Sequence, residues 1–417
     1  MLYSLTVFTW IFLAALAAAT ATRLWLAQRQ IRHVRAHRGA VPGMFAESIP
    51  LAAHQKAADY TVAKARLGIV DTVIDALILL ALTLGGVLQW LSDLWQRVFA
   101  VDSIWHGATL ILTVFLVRGL LSLPLNLYRI FVIEERFGFN RMTLRLYLVD
   151  LVKGLAVGAV LGIPLLLAIL WLMQAAGPLW WLYAWALLVA YSLFLQMIYP
   201  AVVMPLFNKF SPLDDPVLAA RVEQLLSRTG FRSRGLYVMD GSKRSSHGNA
   251  FFAGFGAAKR IVLFDTLVSR LQPAEVEAVL AHELGHYKLR HIVKGMALSW
   301  AFSFALLLAL GLLAGEPWFY EGLGAQTATM PVALMLFMLV VPEFTFFAQP
   351  LLSLFSRKNE YEADRYAARN ADAAELVRAL VKLYHDNSAT LTPDPLHSAY
   401  YDSHPPAAMR IARLRTT

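Results

Sequence analysis

Apolar positions along the chain fall into long runs divided by short basic stretches, the pattern of a multi-pass membrane protein. Seven runs reach spanning length, at 2–22, 69–91, 105–133, 154–174, 180–203, 292–315 and 331–355. Pro124 and Pro342 lie inside the third and seventh, where kinks are expected. Between the fifth and sixth runs the periodicity changes. "DDPVLAARVEQLLSRTGF" (214–231) places apolar residues at helical spacing behind Pro216, and "GLYVMDGS" and "AKRIVLFDTL" predict short strands flanking a Gly-containing segment. "QPAEVEAVLAHELGHYKLRH" predicts a helix with Pro273 and acids in its first turn and Lys288, Arg290 and His291 at its end, the charge order a helix dipole favours. "SRKNEYEADRYAARNADAAELVRALVKL" predicts one or two polar helices after the last run. The expected division is five spans with their loops (1–203), a soluble α+β part (204–291), two further spans (292–355) and a helical C-terminal part (356–417).

Composition agrees with a mostly α, membrane-embedded class. Of the 417 residues 58% are hydrophobic and 16% charged, and mean hydropathy is +0.54. The absence of cysteine excludes disulfides and leaves His, Asp, Glu and water as metal ligands. A net charge of +9 could signal nucleic acid, but the loops give another reading. Arg23, Arg29, Arg32, Arg35, Arg38, Lys56, Lys64 and Arg66 follow the first run, only Arg97 follows the second, and 175–179 and 316–330 hold no Lys or Arg. The segments 134–153, 204–291 and beyond 355 are basic again. Seven spans with the N-terminus outside place every basic segment on the cytoplasmic side, which makes the lipid bilayer the partner and excludes nucleic acid. The first run has its basic residues after it, the reverse of a signal peptide, and is expected to be a retained span.

Asp71, Asp75, Arg118 and Glu343 interrupt the apolar runs. Two readings stand. Either Asp71 and Asp75 sit near an interface and Arg118 snorkels or pairs with an acid, or the bundle encloses water or a substrate passage, since such residues usually face an interior.

One short motif carries chemistry. His282, Glu283 and His286 form H-E-x-x-H, and residues four apart on a helix project from the same side. Two imidazoles so placed can hold a divalent ion, most plausibly Zn²⁺, with Glu283 beside a metal-bound water as its base. Gly285 allows another segment to approach closely. A catalytic zinc needs a third protein ligand and an open position. Glu360 and Asp364 in "NEYEAD" share a helix face, so one can bind metal while the other orients an imidazole; the alternative is a solvated acidic face beside Arg357, Lys358 and Arg365.

The chain resembles the type I CaaX prenyl endopeptidases, integral-membrane zinc metalloproteases. The resemblance rests on "FVIEERFGFN" (131–140), "MPLFNKFSPL" (204–213), "SSHGNAFFAGFG" (245–256), "RIVLFDTL" (260–267), "AHELGH" (281–286), "SRKNEYEAD" (356–364) and "SHPPAAMRI" (403–411), in this order along nearly the whole chain. It implies Glu360 as third zinc ligand and Asp364 as the group that orients a liganding imidazole. It also implies that Asn249 holds the substrate backbone and that Ala250, Phe251 and Phe252 pair with the peptide as an edge strand. His404 is implied to stabilise the oxyanion, and Arg410 to support the carboxylates. A barrel of seven helices around a large chamber is implied as well, with the zinc at its cytoplasmic end. The expected substrates are peptides or C-terminal tails of membrane-associated proteins.

The residues alone leave other readings open. Asn249 fits a turn residue equally well, His404 fits an exposed loop histidine, and His247 has no role that spacing can supply. His33, His37, His54, His106, His291, His385 and His397 are expected at the surface or interfaces, His291 as an extension of the site helix. An intramembrane zinc protease would bury its motif in an apolar run, whereas Glu275, Glu277, Lys288 and Arg290 surround this one. A membrane heat-shock protease without prenyl specificity would be shorter, and a transporter or scaffold with a vestigial metal site would be expected to have lost a ligand. The Arg- and Ala-rich composition, without a C-terminal di-lysine signal, suggests a bacterial inner membrane.

Overall fold

The computed structural model describes residues 6–231, 233, 235–253 and 260–416. The first half comprises α1 (Val7–Ala36), α2 (Leu51–Leu82), α3 (Val87–Gln96), α4 (Ile104–Tyr128), α5 (Leu144–Ala175), α6 (Trp180–Ile198) and α7 (Met204–Phe207). The soluble part follows with β1 (Phe210–Pro212), α8 (Pro216–Arg228), β2 (Leu236–Met239), β3 (Ala250–Ala253), β4 (Arg260–Phe264), α9 (Asp265–Val268) and α10 (Pro273–Lys288). The chain then continues through α11 (His291–Leu313), α12 (Pro317–Glu321), α13 (Met330–Thr345), α14 (Gln349–Asn370), α15 (Ala373–Asp386), α16 (Pro395–Tyr401) and α17 (Ala407–Leu414).

Helices outlast the apolar runs that start them. α1 continues past Arg23 and Arg29 because nothing there breaks a helix before Gly39 and Pro42. The second expected span is broken by a bend: α2 stops at Leu82, α3 leaves at 50°, and Gly86 between them is in the left-handed region at φ 74°. A left-handed turn costs a glycine little, so two helices replace one straight span. Pro124 sits within α4, which passes into a π-helical turn at Arg129–Glu134. A second π-helical turn, Tyr199–Val203, follows α6 and contains Pro200, which has no N–H to give an α-helical ladder. The last span does not end before the polar segment. α13 passes through a short 3₁₀ turn at Phe346–Ala348 into α14, which carries the "NEYEAD" residues.

The spans close into a ring. α1 lies against α2, α2 against α4, α4 against α5, α5 against α6, α6 against α11, α11 against α13, and α13 against α1. α13 also reaches α4 and α5 and fills one end of the ring, where Phe12, Leu110, Ile111, Leu170, Ala333 and Leu336 are fully buried. The other end is hollow. A cavity of about 1030 Å³ there is walled by Arg23, Asp71, Asp75, Tyr384 and His404, and a smaller one of about 230 Å³ by Arg118 and Glu343. The charged residues that interrupt the apolar runs are paired, Arg23 with Glu343 at 2.6 Å, Arg118 with Asp75 at 3.6 Å and Arg129 with Asp71 at 3.9 Å, and most of them line this space.

The soluble part builds a four-stranded sheet in the order β1-β2-β4-β3. β2 and β4 are parallel, while β1 and β3 run antiparallel to their neighbours and form the edges. α10 is the central helix, packed on β3, α8, α14 and α15, with Val276, Leu280 and Leu284 fully buried. Glu275 and Glu277 are buried as well, but each is paired, Glu275 with Lys382 at 2.7 Å and Glu277 with Arg221 and Arg228. These partners come from α8 and α15, and α10 is not among the helices long and apolar enough to cross a membrane.

Candidate active site

α10 begins at Pro273 with a capping box in which the Gln272 N–H donates to Glu275 at 2.7 Å. Its regular continuation sets His282 and His286 on one face, with ring nitrogens Nε2 separated by 3.2 Å. α14 crosses that face. A Cβ built on Gly285 would lie 2.9 Å from the Ala363 Cα, so only glycine admits the crossing at this depth. Glu360, one turn before Ala363, thereby reaches both imidazoles. Its Oε1 is 3.2 Å from His286 Nε2 and its Oε2 3.5 Å from His282 Nε2.

This triangle can be tested against a metal. Four ligands about 2.0–2.1 Å from an ion in a tetrahedron are roughly 3.3–3.4 Å from one another. The two Nε2 atoms are 3.2 Å apart and each faces one oxygen of the Glu360 carboxylate, at 3.2 Å for His286 and 3.5 Å for His282, separations close to that figure. Glu360 Oε2 is buried and accepts no hydrogen bond, as a ligand atom awaiting a cation would be. His282, His286 and Glu360 are the group among the described residues with metal-ligand geometry.

The surrounding groups orient the set. Asp364 Oδ1 lies 2.9 Å from His282 Nδ1, which places the proton there and leaves the Nε2 lone pair facing the cluster. Arg410 on α17 grips Asp364 with Nε at 2.8 Å and Nη2 at 2.6 Å, and its Nη1 is 3.5 Å from Glu360. Burial alone would lower the His282 pKa, but the neighbouring carboxylates of Asp364 and Glu360 outweigh that and push the imidazole up to about 9. The pocket therefore favours positive charge. Burial pushes the Glu283 carboxyl upward, against the pull of His282 and His286. A raised carboxyl suits a group that both takes and returns a proton.

His404 is delivered by the loop before α17. Its Nε2 is 3.3 Å from Glu360 Oε1 and its Nδ1 2.9 Å from the Ser403 hydroxyl, and it stands in the wall of the 1030 Å³ cavity. Asn249, Phe251 and Phe252 line a second cavity of about 1220 Å³, together with Phe264 and Tyr287. Ala250 is buried where β3 meets β4, and the Asn249 carbonyl accepts from the Phe264 N–H at 3.0 Å. The structure thus brings His282, His286, Glu360, Asp364, Arg410 and His404 into one cluster and sets Asn249 to Phe252 on an edge strand beside α10. Residues 254–256 of the quoted "SSHGNAFFAGFG" and 258–259 of "AKRIVLFDTL" lie outside the described residues.

Several residues escaped the sequence reading. His247 stacks on Phe139 with ring centroids 4.6 Å apart, faces Asn387 at 3.2 Å, and lies 3.7 Å from Glu134. Tyr60 donates to the same Glu134 at 2.6 Å. "FVIEERFGFN" therefore buttresses the loop that delivers Asn249. His54 and His106 are corrected from surface residues to buried ones, bonded to the carbonyls of His37 and Ser92. His291 is corrected too: α10 ends at Lys288, and His291 is the buried first residue of α11. The adjacency of "HELGH" and a further histidine was visible, but not the turn between them.

An alanine at 285 is expected to push α14 away, weaken metal binding and destabilise the fold by about 1–3 kcal/mol, the usual cost of overpacking. Chelator competition and thermal unfolding check this; unchanged metal affinity would show that the helix crossing does not set the ligand distance.

Ring-forming spans and a helix-borne ligand triad define a membrane-embedded metallopeptidase, and comparison with known proteins agrees. Residues 30–209 match the family model described as CAAX prenyl protease N-terminal, five membrane helices, and residues 212–417 match peptidase family M48. The chain belongs to the CAAX prenyl protease 1 family. It is 35% identical over 367 residues to CAAX prenyl protease 1 homolog of Arabidopsis thaliana, covering 86% of each chain. It is 34% identical to the Homo sapiens homolog, over 72% of each. The crystal structure of S. mikatae Ste24p superposes with a TM-score of 0.92 at 31% identity, covering 98% of this chain and 99% of that one. These relatives are eukaryotic.

Proposed function

We propose that the protein is a zinc endopeptidase that cleaves peptides or C-terminal tails of membrane-associated proteins, prenylated ones included. The observation that carries this is the convergence of His282, His286 and Glu360, whose Nε2 and carboxylate oxygen atoms approach one another at 3.2, 3.2 and 3.5 Å, close to the spacing of ligands around a tetrahedral zinc. Zn²⁺ held there supplies Lewis acidity toward a water and the scissile carbonyl. Glu283 takes the attacking water's proton and returns it to the leaving amine. His404, in the cavity wall beside Glu360, donates to the oxyanion. Asp364 and Arg410 keep the His282 ring in its liganding orientation. An extended substrate adding to the free edge of β3 would be held by backbone, with Asn249 at the start of that edge.

The basic loops support a membrane orientation with the N-terminus outside and this site on the cytoplasmic face, and the Arg- and Ala-rich composition supports a bacterial inner membrane. Full retention of the triad and Glu283 weighs against a vestigial site in a transporter.

The test uses the purified full chain in lipid, one farnesylated peptide ending in Cys-a-a-X, and the same peptide without the lipid. The expected result is one zinc per chain and hydrolysis that stops with a chelator and returns with zinc. Zinc-loaded protein that cuts neither peptide would overturn the reading. Equal cleavage of both would remove prenyl specificity and leave a broader role in membrane-peptide turnover.

A further inference from the structure

The two imidazoles of the triad are not supported alike. His282 meets a carboxylate directly, through Asp364. On the far side of His286 there is no carboxylate but another ring. His291 Nδ1 lies 3.1 Å from His286 Nδ1, with the rings 77° apart and their centroids 5.1 Å apart. His291 Nε2 in turn lies 3.1 Å from Glu362 Oε2, and Glu362 is flanked by Lys294 at 3.9 Å and Lys358 at 4.0 Å.

Proton bookkeeping gives this chain one arrangement. With His286 Nε2 turned to the metal position, its proton sits on Nδ1 and is donated to His291. His291 accepts there, so its own proton is on Nε2, and Glu362 accepts that proton. Every donor meets an acceptor, and a negative charge stands at the outer end. Such chains polarise along their length, which makes the inner nitrogen a stronger ligand.

The backbone is shaped to build the chain. α10 stops at Lys288 and Arg290 takes φ 57°, ψ 34°, a left-handed conformation unfavourable for a non-glycine residue. That turn places His291, only 5% exposed, back over His286. Glu362 comes from α14, two residues after Glu360, so one helix supplies a ligand and the anchors for both imidazoles: Asp364 for His282 and Glu362 for His286.

We infer that His291 and Glu362 form a positioning relay that fixes the tautomer and orientation of His286 and raises metal affinity. The inference rests on the metal-centre reading. His291 and Glu362 are positioning residues that touch neither metal nor substrate.

The test is zinc affinity of the full chain in lipid, measured by competition with a chromophoric chelator, alongside thermal unfolding of the zinc-free protein. Phenylalanine at 291 fills the ring's space without accepting a bond; His291→Phe is expected to weaken zinc binding about 10–100-fold, the usual range for lost outer partners. Glu362→Gln keeps an acceptor but not the charge and is expected to lose less, roughly 3–10-fold, and the double variant no more than His291→Phe alone. His291→Gln, whose amide oxygen can accept the His286 proton, should recover part of the loss. Cobalt-substituted His291→Phe should show altered ligand-field bands. Zinc affinities of His291→Phe and Glu362→Gln within twofold of wild type would overturn the relay while leaving the metal centre intact. A zinc-free His291→Phe that unfolds much earlier than zinc-free wild type, with unchanged cobalt bands, would also overturn it and assign His291 a packing role. Wild-type protein that takes up no zinc would overturn the centre and the relay together.

Discussion

Glu283→Gln is expected to lower peptide hydrolysis by about 10²–10⁴-fold, the usual contribution of a positioned general base, with zinc content unchanged. Glutamine keeps the shape of the side chain and cannot take a proton. Glu283 follows the first ligand on α10, half-buried, and burial raises its pKa. None of the three ligand atoms belongs to it. Loss of rate with retained metal therefore separates proton transfer from coordination. Single-turnover hydrolysis and metal analysis on the same preparation decide it, and a variant that turns over at the wild-type rate would remove Glu283 from the reaction. The retained zinc also makes this variant a trap for membrane substrates.

The parts of this site that the sequence displayed are those set by local periodicity. His282 and His286 share a face because the helix repeat requires it, and the apolar residues around them marked the helix from Pro273 onward. The third ligand was visible only as a pair of acids four apart. Both lie on one face of α14, so spacing could not say which binds metal. The crossing of two helices favours Glu360, which meets the Nε2 side of the imidazoles, while Asp364 meets the Nδ1 side of His282. His291 was misread because helix signals extend to it, while the turn that ends α10 uses Arg290 in a conformation ordinarily left to glycine or asparagine. The break between α2 and α3 was similarly hidden: hydropathy runs on through Gly85 and Gly86, and a glycine pair marks a turn without fixing its angle. The ring itself was an implication of the resemblance. Seven apolar runs specify up to seven spans, not their order in space.

Arg410→Met is expected to have the largest effect on stability, because the site is balanced by charge. Glu360 and Asp364, both buried and both held below the usual carboxylate range, bring two negative charges into a space that Arg410 enters with one positive charge. Without Arg410, Asp364 and Glu360, each 4% exposed, keep their charges and lose a partner that holds one of them through two bonds. Removing one member of a buried pair costs about 3–5 kcal/mol, much of it the cost of the charge left behind. The loss should be greater after chelation, when the dication no longer offsets Glu360. Replacing both partners, Arg410→Met with Asp364→Leu, should recover part of the stability of the zinc-free protein while leaving zinc affinity low, since His282 then has nothing to fix its tautomer. Thermal unfolding of wild type, single and double variants, with and without chelator, reads the balance directly. Equal unfolding temperatures for wild type and Arg410→Met in both conditions would mean that Arg410 neutralises nothing the fold depends on.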